Sequence, residues 1–139
     1  MRSVKAFRYH HVVTLDETNL VGNVYFAHYL HWQGHCRELF LAEHAPGVLA
    51  SLKAGRFAMV TVSCGVDFYA ECFALDEVEV AMTLRAASGN RIEMDFDYHR
   101  RGTLAARGRQ TVACVAREGD HVVPTEIPAD LARAVMSFA

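Results

Sequence analysis

The stretch at 16–29, DETNLVGNVYFAHY, decides how the chain folds. It begins as a polar loop, passes through Gly22 and Asn23, which favour a turn or a helix start, and then takes on a helical spacing. From Val24 to about Glu43, apolar and semi-polar residues recur at steps of three and four, as expected for one face of a helix. The sequence therefore predicts one long helix, entered through a polar loop.

Glycine and proline set expectations for how this helix packs and ends. Gly34 lies in its middle, where glycine is about 1 kcal/mol less favourable than alanine. We therefore expect the helix to pack closely against a flat surface such as a sheet. The run Ala45-Pro46-Gly47 should end it, and a second, short helix is predicted over 46–53.

Much of the remaining sequence alternates with a period of two, which is typical of strands. In the clearest case, 92–99, apolar residues alternate with charged or polar ones, so one strand face should be buried. Strands are predicted at 4–14, 57–72 with a bend near Gly65, 78–84, 92–99 and 104–117, and a terminal helix at 129–138. The pattern predicts one α+β domain over 1–139, with the long helix packed on a curved antiparallel sheet of about five strands.

Length and composition narrow the class of protein. The 139 residues suit one domain, and 52% hydrophobic against 22% charged residues indicates a globular chain. A net charge of −2 argues against nucleic acid, although the arginines between 85 and 109 form either a solvated strand face or a phosphate-contacting patch. No apolar run is long enough for a membrane span, no signal peptide is evident, and the four cysteines form no CxxC pair. We expect a cytoplasmic protein with reduced, buried cysteines.

The junction between loop and helix is the most informative place for chemistry. The first backbone N–H groups of a helix have no internal partner and carry partial positive charge. A carbonyl held against Gly22, Asn23 and Val24 would be polarised, and an oxyanion formed from it would be stabilised. These three residues are therefore predicted to bind substrate.

The chain resembles the hotdog-fold thioesterases of the 4-hydroxybenzoyl-CoA thioesterase type. The likeness lies in the run D-x-x-N-L-V-G-N-V-Y-F at 16–26, the H-Y-L that follows, and the order of strands. The segments DETNLVGNVYF, WQGHCRE and FYAECFALDEV are most similar to the stand-alone thioesterases of enediyne polyketide pathways. The resemblance implies a hotdog fold, hydrolysis of an acyl thioester without metal or cofactor, and a homo-oligomer built as a dimer of dimers.

Asn19 departs from the commoner pattern of that family, in which an aspartate at this position acts as nucleophile or general base. A neutral amide is neither, but it can hydrogen-bond a water or an oxyanion. Direct attack by an oriented water is therefore expected in place of covalent catalysis. Thioesters are electrophilic enough for orientation and charge stabilisation to suffice.

Arg37 and Tyr29 are the other candidate catalytic residues. They lie eight positions apart and so fall on nearly one helix face. The resemblance suggests that Arg37 stabilises negative charge on the thioester carbonyl; the alternative is a structural ion pair with a carboxylate such as Asp67. Tyr29 either helps to orient the substrate or is a core aromatic residue.

Other side chains offer weaker chemistry. Asp67 and Glu71 are rival bases, although an exposed or arginine-paired role is favoured for Asp67. His31 and His35 have a metal-binding spacing, but no HExxH pattern or third ligand accompanies them, so no metal is expected. Cys36 has no fixed base beside it, and no G-x-S-x-G elbow is present.

The predicted function follows from the resemblance. It is a thioesterase that releases a β-ketoacyl polyketide or polyene chain from an acyl carrier protein, with Asn19 and Arg37 assisting attack by water. Two alternatives remain at this point: an acyl-CoA thioesterase of general metabolism, and a non-catalytic acyl-binding protein on the same fold.

Overall fold

The computed structural model of the protein describes residues 5–138 and contains one antiparallel sheet with three helices. The strands are β1 (Phe7–Val12), β2 (Phe57–Phe68), β3 (Glu77–Ser88), β4 (Arg91–Arg100), β5 (Thr103–Glu118) and β6 (His121–Pro124). The helices are α1 (Ala27–His44), α2 (Pro46–Lys53) and α3 (Ala129–Ser137), and a 3₁₀ turn precedes α1 at Leu15–Glu17.

The sheet order is β1-β3-β4-β5-β2, with β6 pairing to the end of β5. This architecture confirms the predicted α+β hotdog fold, with a long helix and five main antiparallel strands. The short β6 ends at Pro124. Proline is tolerated there because it ends the strand.

The core lies between α1 and the sheet. Trp32, Cys36 and Phe40 project from α1 and are at most 2% exposed. Alternate residues of β4, among them Phe96 and Tyr98, are fully buried on the facing side, as the period of two predicted. Burying each large apolar side chain stabilises the fold by roughly 1.5–3 kcal/mol.

The helix α1 approaches the sheet closely at a glycine of β5. A Cβ atom on Gly108 of β5 would come within 2.3 Å of the Gln33 Nε2 atom on α1. A Cβ atom on Gly34, by contrast, would meet nothing within 4 Å. The prediction that Gly34 permits close packing on the sheet is therefore wrong within one chain, and Gly108 has that role.

Three predicted boundaries also differ. The long helix begins at Ala27 rather than Val24, because Val24 forms a β-bridge with Thr18 and its N–H group donates to the Cys72 carbonyl. The second strand ends at Phe68, where the chain bends. Its register against β5 shifts between residues 61 and 63, whereas a bend was predicted near Gly65. The first strand spans 7–12, and the part of its prediction that includes residue 4 lies outside the described residues.

Candidate active site

A cavity of about 200 Å³ opens where the polar loop, the start of α1 and the end of β2 meet. Four of the predicted site residues line it, namely Asn19, Asn23, Val24 and Tyr29, and Glu71 adds a carboxylate. Its lining consists of Asn19, Asn23, Val24, Phe26, Tyr29, Phe68, Ala70 and Glu71. Most of this surface is apolar or aromatic, so it suits an acyl chain beside a few polar groups.

The loop folds tightly enough to bring Asn19 back against Asn23. The Asn19 N–H group donates to the Asn23 carbonyl at 2.7 Å, and the Gly22 N–H group donates to the Asn19 carbonyl at 2.9 Å. Gly22 has a φ of 93°, a region that glycine adopts without steric cost. Gly22 does not line the cavity, so its place in the structure is to shape the loop.

Two consecutive hydrogen bonds between side chains cross this loop. Asn19 Nδ2 donates to Asn23 Oδ1 at 3.3 Å, and Asn23 Nδ2 donates to Glu71 Oε1 at 3.3 Å. Glu71 was named as a rival base in the sequence, but nothing in its local pattern indicated this contact. The two partners are 48 residues apart and meet only through the fold.

The predicted polarising N–H groups need a correction. The Val24 N–H group donates to Cys72 at 2.8 Å, and the Tyr25 N–H group donates to Glu17 at 2.9 Å. Within residues 5–138, the N–H groups of Phe26 and Ala27 make no backbone hydrogen bond. Because α1 starts three residues later than predicted, these later N–H groups can polarise a carbonyl, as can that of Asn23, which also makes no backbone hydrogen bond within residues 5–138.

Tyr29 is both a core residue and part of the cavity wall. It is 3% exposed, and its ring packs edge-on against Phe68 with centroids 5.0 Å apart. Burial is the main cause of its raised pKa, and the contact with the Cys72 side chain raises the pKa further, so the phenol stays neutral. It can donate a hydrogen bond but cannot act as a base near neutral pH.

Glu17 fixes the loop to the rest of the fold, a role that sequence reasoning missed. Its carboxylate, on a residue that is 8% exposed, accepts hydrogen bonds from Trp32 Nε1 at 2.8 Å and from the Thr14 N–H group at 3.0 Å, and contacts His11 Nε2 at 2.8 Å. Burial alone would raise its pKa, but the bonds from Thr14, His11 and Trp32 outweigh it and lower the pKa to about 2. The spacing of Thr14 and Glu17 is that of a capping box, which was the available signal.

Arg37 lies in a different place, farther along α1. It lines a second cavity of about 300 Å³ with Gly34 and other residues of α1, α2 and β2. Its Nη1 atom donates to Gln110 Oε1, and Gln110 Nε2 donates to Gln33 Oε1 at 3.2 Å. Burial lowers the pKa of Arg37, and the charge of Glu38 partly offsets this effect.

No carboxylate pairs with Arg37 among the described residues. The partner considered in the sequence, Asp67, lies 3.8 Å from Arg109 instead. The positive charge of Arg37 is held by a neutral amide oxygen, so it remains available to an anionic partner. This arrangement is unlike a structural ion pair and suits stabilisation of developing negative charge.

One protomer does not bring Asn19 and Arg37 into one cavity. Tyr29 lines the first cavity and Arg37 lines the second, and eight residues of helix separate them, which is about 12 Å along the axis. The structure therefore gathers Asn19, Asn23, Val24 and Tyr29, and it leaves Arg37 apart.

The rival chemistries gain no support. Within residues 5–138, no group of three or more His, Cys, Asp or Glu side chains is arranged to hold a metal ion. Burial raises the pKa of Cys36 to about 12, so it is not an activated thiol.

The arginines on the strands form ion pairs with neighbouring carboxylates. Arg85 pairs with Asp95 and Arg107 with Asp97, as expected for a solvated strand face. No described helix is long and apolar enough to cross a membrane.

Comparison with known proteins identifies the chemistry of this fold. The model of the thioesterase-like superfamily matches residues 13–135. The dynemicin thioesterase, whose crystal structures reveal induced-fit and allosteric effects upon polyene binding, is 61% identical, with a TM-score of 0.92 over 96% of this chain and 97% of that chain.

More distant relatives act on a CoA thioester. The 1,4-dihydroxy-2-naphthoyl-CoA hydrolase of Synechocystis is 28% identical over 112 residues, which is 79% of this chain and 81% of that protein. The solved structure of the Synechocystis 1,4-dihydroxy-2-naphthoyl-CoA thioesterase has a TM-score of 0.85 at 25% identity, covering 94% of this chain and 96% of that chain. Together these likenesses show that the chain is a thioester hydrolase, which sets aside the non-catalytic alternative.

Proposed function

The chain belongs to the thioesterase-like superfamily, and from that premise we propose that it hydrolyses a β-ketoacyl polyene thioester on an acyl carrier protein in enediyne polyketide biosynthesis. The observation that carries this proposal is the 61% identity to the dynemicin thioesterase over nearly the whole chain. The apolar and aromatic wall of the Asn19 cavity fits an unsaturated acyl chain.

The chemistry assigned to the site is direct addition of water. The water oxygen bonds to the thioester carbonyl carbon, the carbon–sulfur bond breaks, and the proton from water ends on the departing sulfur, which leaves as a thiol. Asn19 positions the water or the oxyanion, and the N–H groups at the start of α1 polarise the carbonyl. Arg37 stabilises the negative charge that develops on the carbonyl oxygen.

A second subunit completes the site in this proposal. The Asn19 cavity of one protomer, at about 200 Å³, is smaller than the roughly 300–1,000 Å³ of typical ligand pockets. Arg37 lies outside it, and the cavity that holds Arg37 is open to solvent beside Gly34. We assign Asn19 and Arg37 of one working site to different subunits of a dimer, two of which form the tetramer.

The second candidate function is hydrolysis of an acyl-CoA. It is favoured by the relatives that act on 1,4-dihydroxy-2-naphthoyl-CoA. Both candidates share the reaction and differ only in the group that carries the sulfur.

The test is to offer one acyl chain on two carriers. A polyene β-ketoacyl chain is loaded on a polyketide acyl carrier protein and, separately, on CoA, and kcat/KM is measured for each with mass analysis of the released acid. We expect a kcat/KM at least about tenfold higher with the carrier protein. A preference for CoA would favour the second candidate, and failure to hydrolyse either would contradict the proposal.

A further inference from the structure

We propose that Glu71 is a positioning residue for hydrolysis, acting through Asn23 to fix which end of the Asn19 amide serves the reaction. This inference rests on the proposed role of Asn19. Its starting point is the chain of two hydrogen bonds that runs from Glu71 through Asn23 to Asn19.

The direction of this chain is dictated by Glu71. An ionised carboxylate only accepts hydrogen bonds, so the Asn23 atom that faces it must be Nδ2. The opposite atom of the same amide, Oδ1, then faces Asn19 and can only accept, so Asn19 must present its own Nδ2. One charge therefore sets the orientation of two amides that could otherwise rotate by half a turn.

The orientation decides what Asn19 can do. Its Nδ2 atom is engaged with Asn23, whereas its Oδ1 atom has no hydrogen-bond donor among the described residues. Since Asn19 lines the cavity, this oxygen is available to accept a hydrogen bond from a water there. Asn19 thus acts mainly by holding the attacking water, which agrees with the direct-water route and makes donation to the oxyanion its lesser role.

The segment that bears Glu71 is fixed well enough to act in this way. The Glu71 carbonyl accepts from Arg100 Nη1 at 3.2 Å, and Arg100 Nε lies 2.8 Å from an Asp76 carboxylate oxygen. The neighbouring Cys72 carbonyl accepts from the Val24 N–H group at 2.8 Å. Backbone bonds therefore hold the Glu71 segment beside the Asn19 loop, and the side-chain relay is built on that frame.

The experiment measures kcat and KM for Glu71→Ala and Glu71→Gln in two backgrounds, the parent and Asn19→Ala. In the parent we expect Glu71→Ala to lower kcat about tenfold, the effect of losing a hydrogen bond to a charged group, with KM changed less than about twofold. Glu71→Gln should recover part of the rate, because its oxygen can still accept from Asn23. Glu118→Ala, an exposed glutamate at the end of β5, is the matched control and should leave kcat unchanged.

The background variant separates a relay from other roles. If Glu71 acts through Asn19, Glu71→Ala should lower kcat no further in Asn19→Ala. An equal loss in both backgrounds would overturn the proposal, because it would mean that Glu71 acts directly as a base or only stabilises the fold. An unchanged kcat for Glu71→Ala in the parent would also overturn it. The proposed role of Asn19 fails on a different result, namely parental activity in Asn19→Ala itself, and the proposed function fails if the parent hydrolyses neither thioester.

Discussion

At the scale of single residues, Arg37 carries the clearest prediction. Its charge rests on a neutral glutamine oxygen, so the fold does not depend on it as an ion pair. Arg37→Ala should therefore keep the fold. It should remove about 2.7–4 kcal/mol of transition-state stabilisation, which lowers kcat roughly 100- to 1,000-fold. Arg37→Lys should recover little, because lysine lacks the planar guanidinium fork.

Steady-state kinetics beside far-ultraviolet circular dichroism check this prediction. Arg91→Ala, an exposed arginine at the start of β4, serves as the control and should hydrolyse the thioester at the parental rate. Near-parental turnover in both Arg37 variants would mean that this residue is structural or irrelevant to the reaction.

Glu17 gives a prediction about pH and stability. Its pKa falls from an ordinary 4.5 to about 2 in the folded protein, so the ionised carboxylate stabilises the fold at neutral pH, by on the order of 3 kcal/mol. Because the folded-state pKa is the lower one, this stabilisation is present above pH 4.5 and is lost as pH falls from 4.5 toward 2. Urea unfolding of the parent should weaken over this window.

The same unfolding series on a variant isolates the residue. Glu17→Gln should be less stable at pH 7 and should show a shallower loss of stability between pH 4.5 and 2. Glu118→Gln, an exposed glutamate without these bonds, should follow the parent curve. Parallel curves for the parent and Glu17→Gln would refute the assignment.

At the scale of elements, two glycines test how α1 packs. Gly108 lies on β5 against the inner face of the helix, and Gly34 lies on α1 itself and faces open space. Gly108→Ala places a Cβ atom against the buried Gln33 side chain and 3.2 Å from the Gly65 carbonyl oxygen, and it should destabilise the protein by about 1–3 kcal/mol, as overpacking does. Gly34→Ala meets open space in one chain and should instead stabilise an isolated protomer, by up to about 1 kcal/mol. Thermal melts of both variants test this contrast, and a stabilised Gly108→Ala would contradict the packing of α1 on β5.

The sequence predicts the elements well because their signals are periodic and local. The long helix and the alternating β4 follow from spacings within a few residues, and both are confirmed. The start of α1 was misplaced because the bridge between Thr18 and Val24 and the bond from Val24 to Cys72 compete with helical hydrogen bonds. Local propensity carries no sign of a bond to a residue 48 positions away.

The candidate site likewise combines contacts that are local in the sequence with contacts that only the fold creates. Asn19, Asn23 and Tyr29 share one loop and helix start, so their proximity could be predicted from the chain. Glu71 joins them only after β2 has crossed the molecule, and the pairing of Asp67 with Arg109 depends on strand register. Those contacts belong to tertiary structure and needed the fold to be found.

At the scale of the whole molecule, the edge strand β2 points to assembly. β2 pairs with β5 on one side only, and Val60 and Val62 are 48% and 46% exposed along it. A long, apolar, unpaired strand edge is normally covered. We therefore predict a dimer of dimers of about 62 kDa, from a protomer of 15.5 kDa.

Sedimentation velocity tests this assembly. Val62→Lys places a charge at the β2 edge and should shift the protein toward smaller species and lower kcat, since Asn19 and Arg37 would no longer meet across subunits. Val122→Lys, on a valine of β6 that is 58% exposed, should leave both unchanged. A parent that sediments as a fully active 15.5 kDa monomer would contradict the shared site.

We propose that water attacks the thioester directly at the Asn19 cavity. The most direct measurement is a single turnover in oxygen-18 water with enzyme in excess, using an acyl thioester that lacks the β-keto group so that no label is lost by decarboxylation. Direct attack predicts that the first acid released carries one oxygen-18 atom and that the protein gains none. Release of unlabelled acid in the first turnover, with oxygen-18 appearing on a carboxylate such as Glu71, would show a covalent acyl-enzyme and contradict the account.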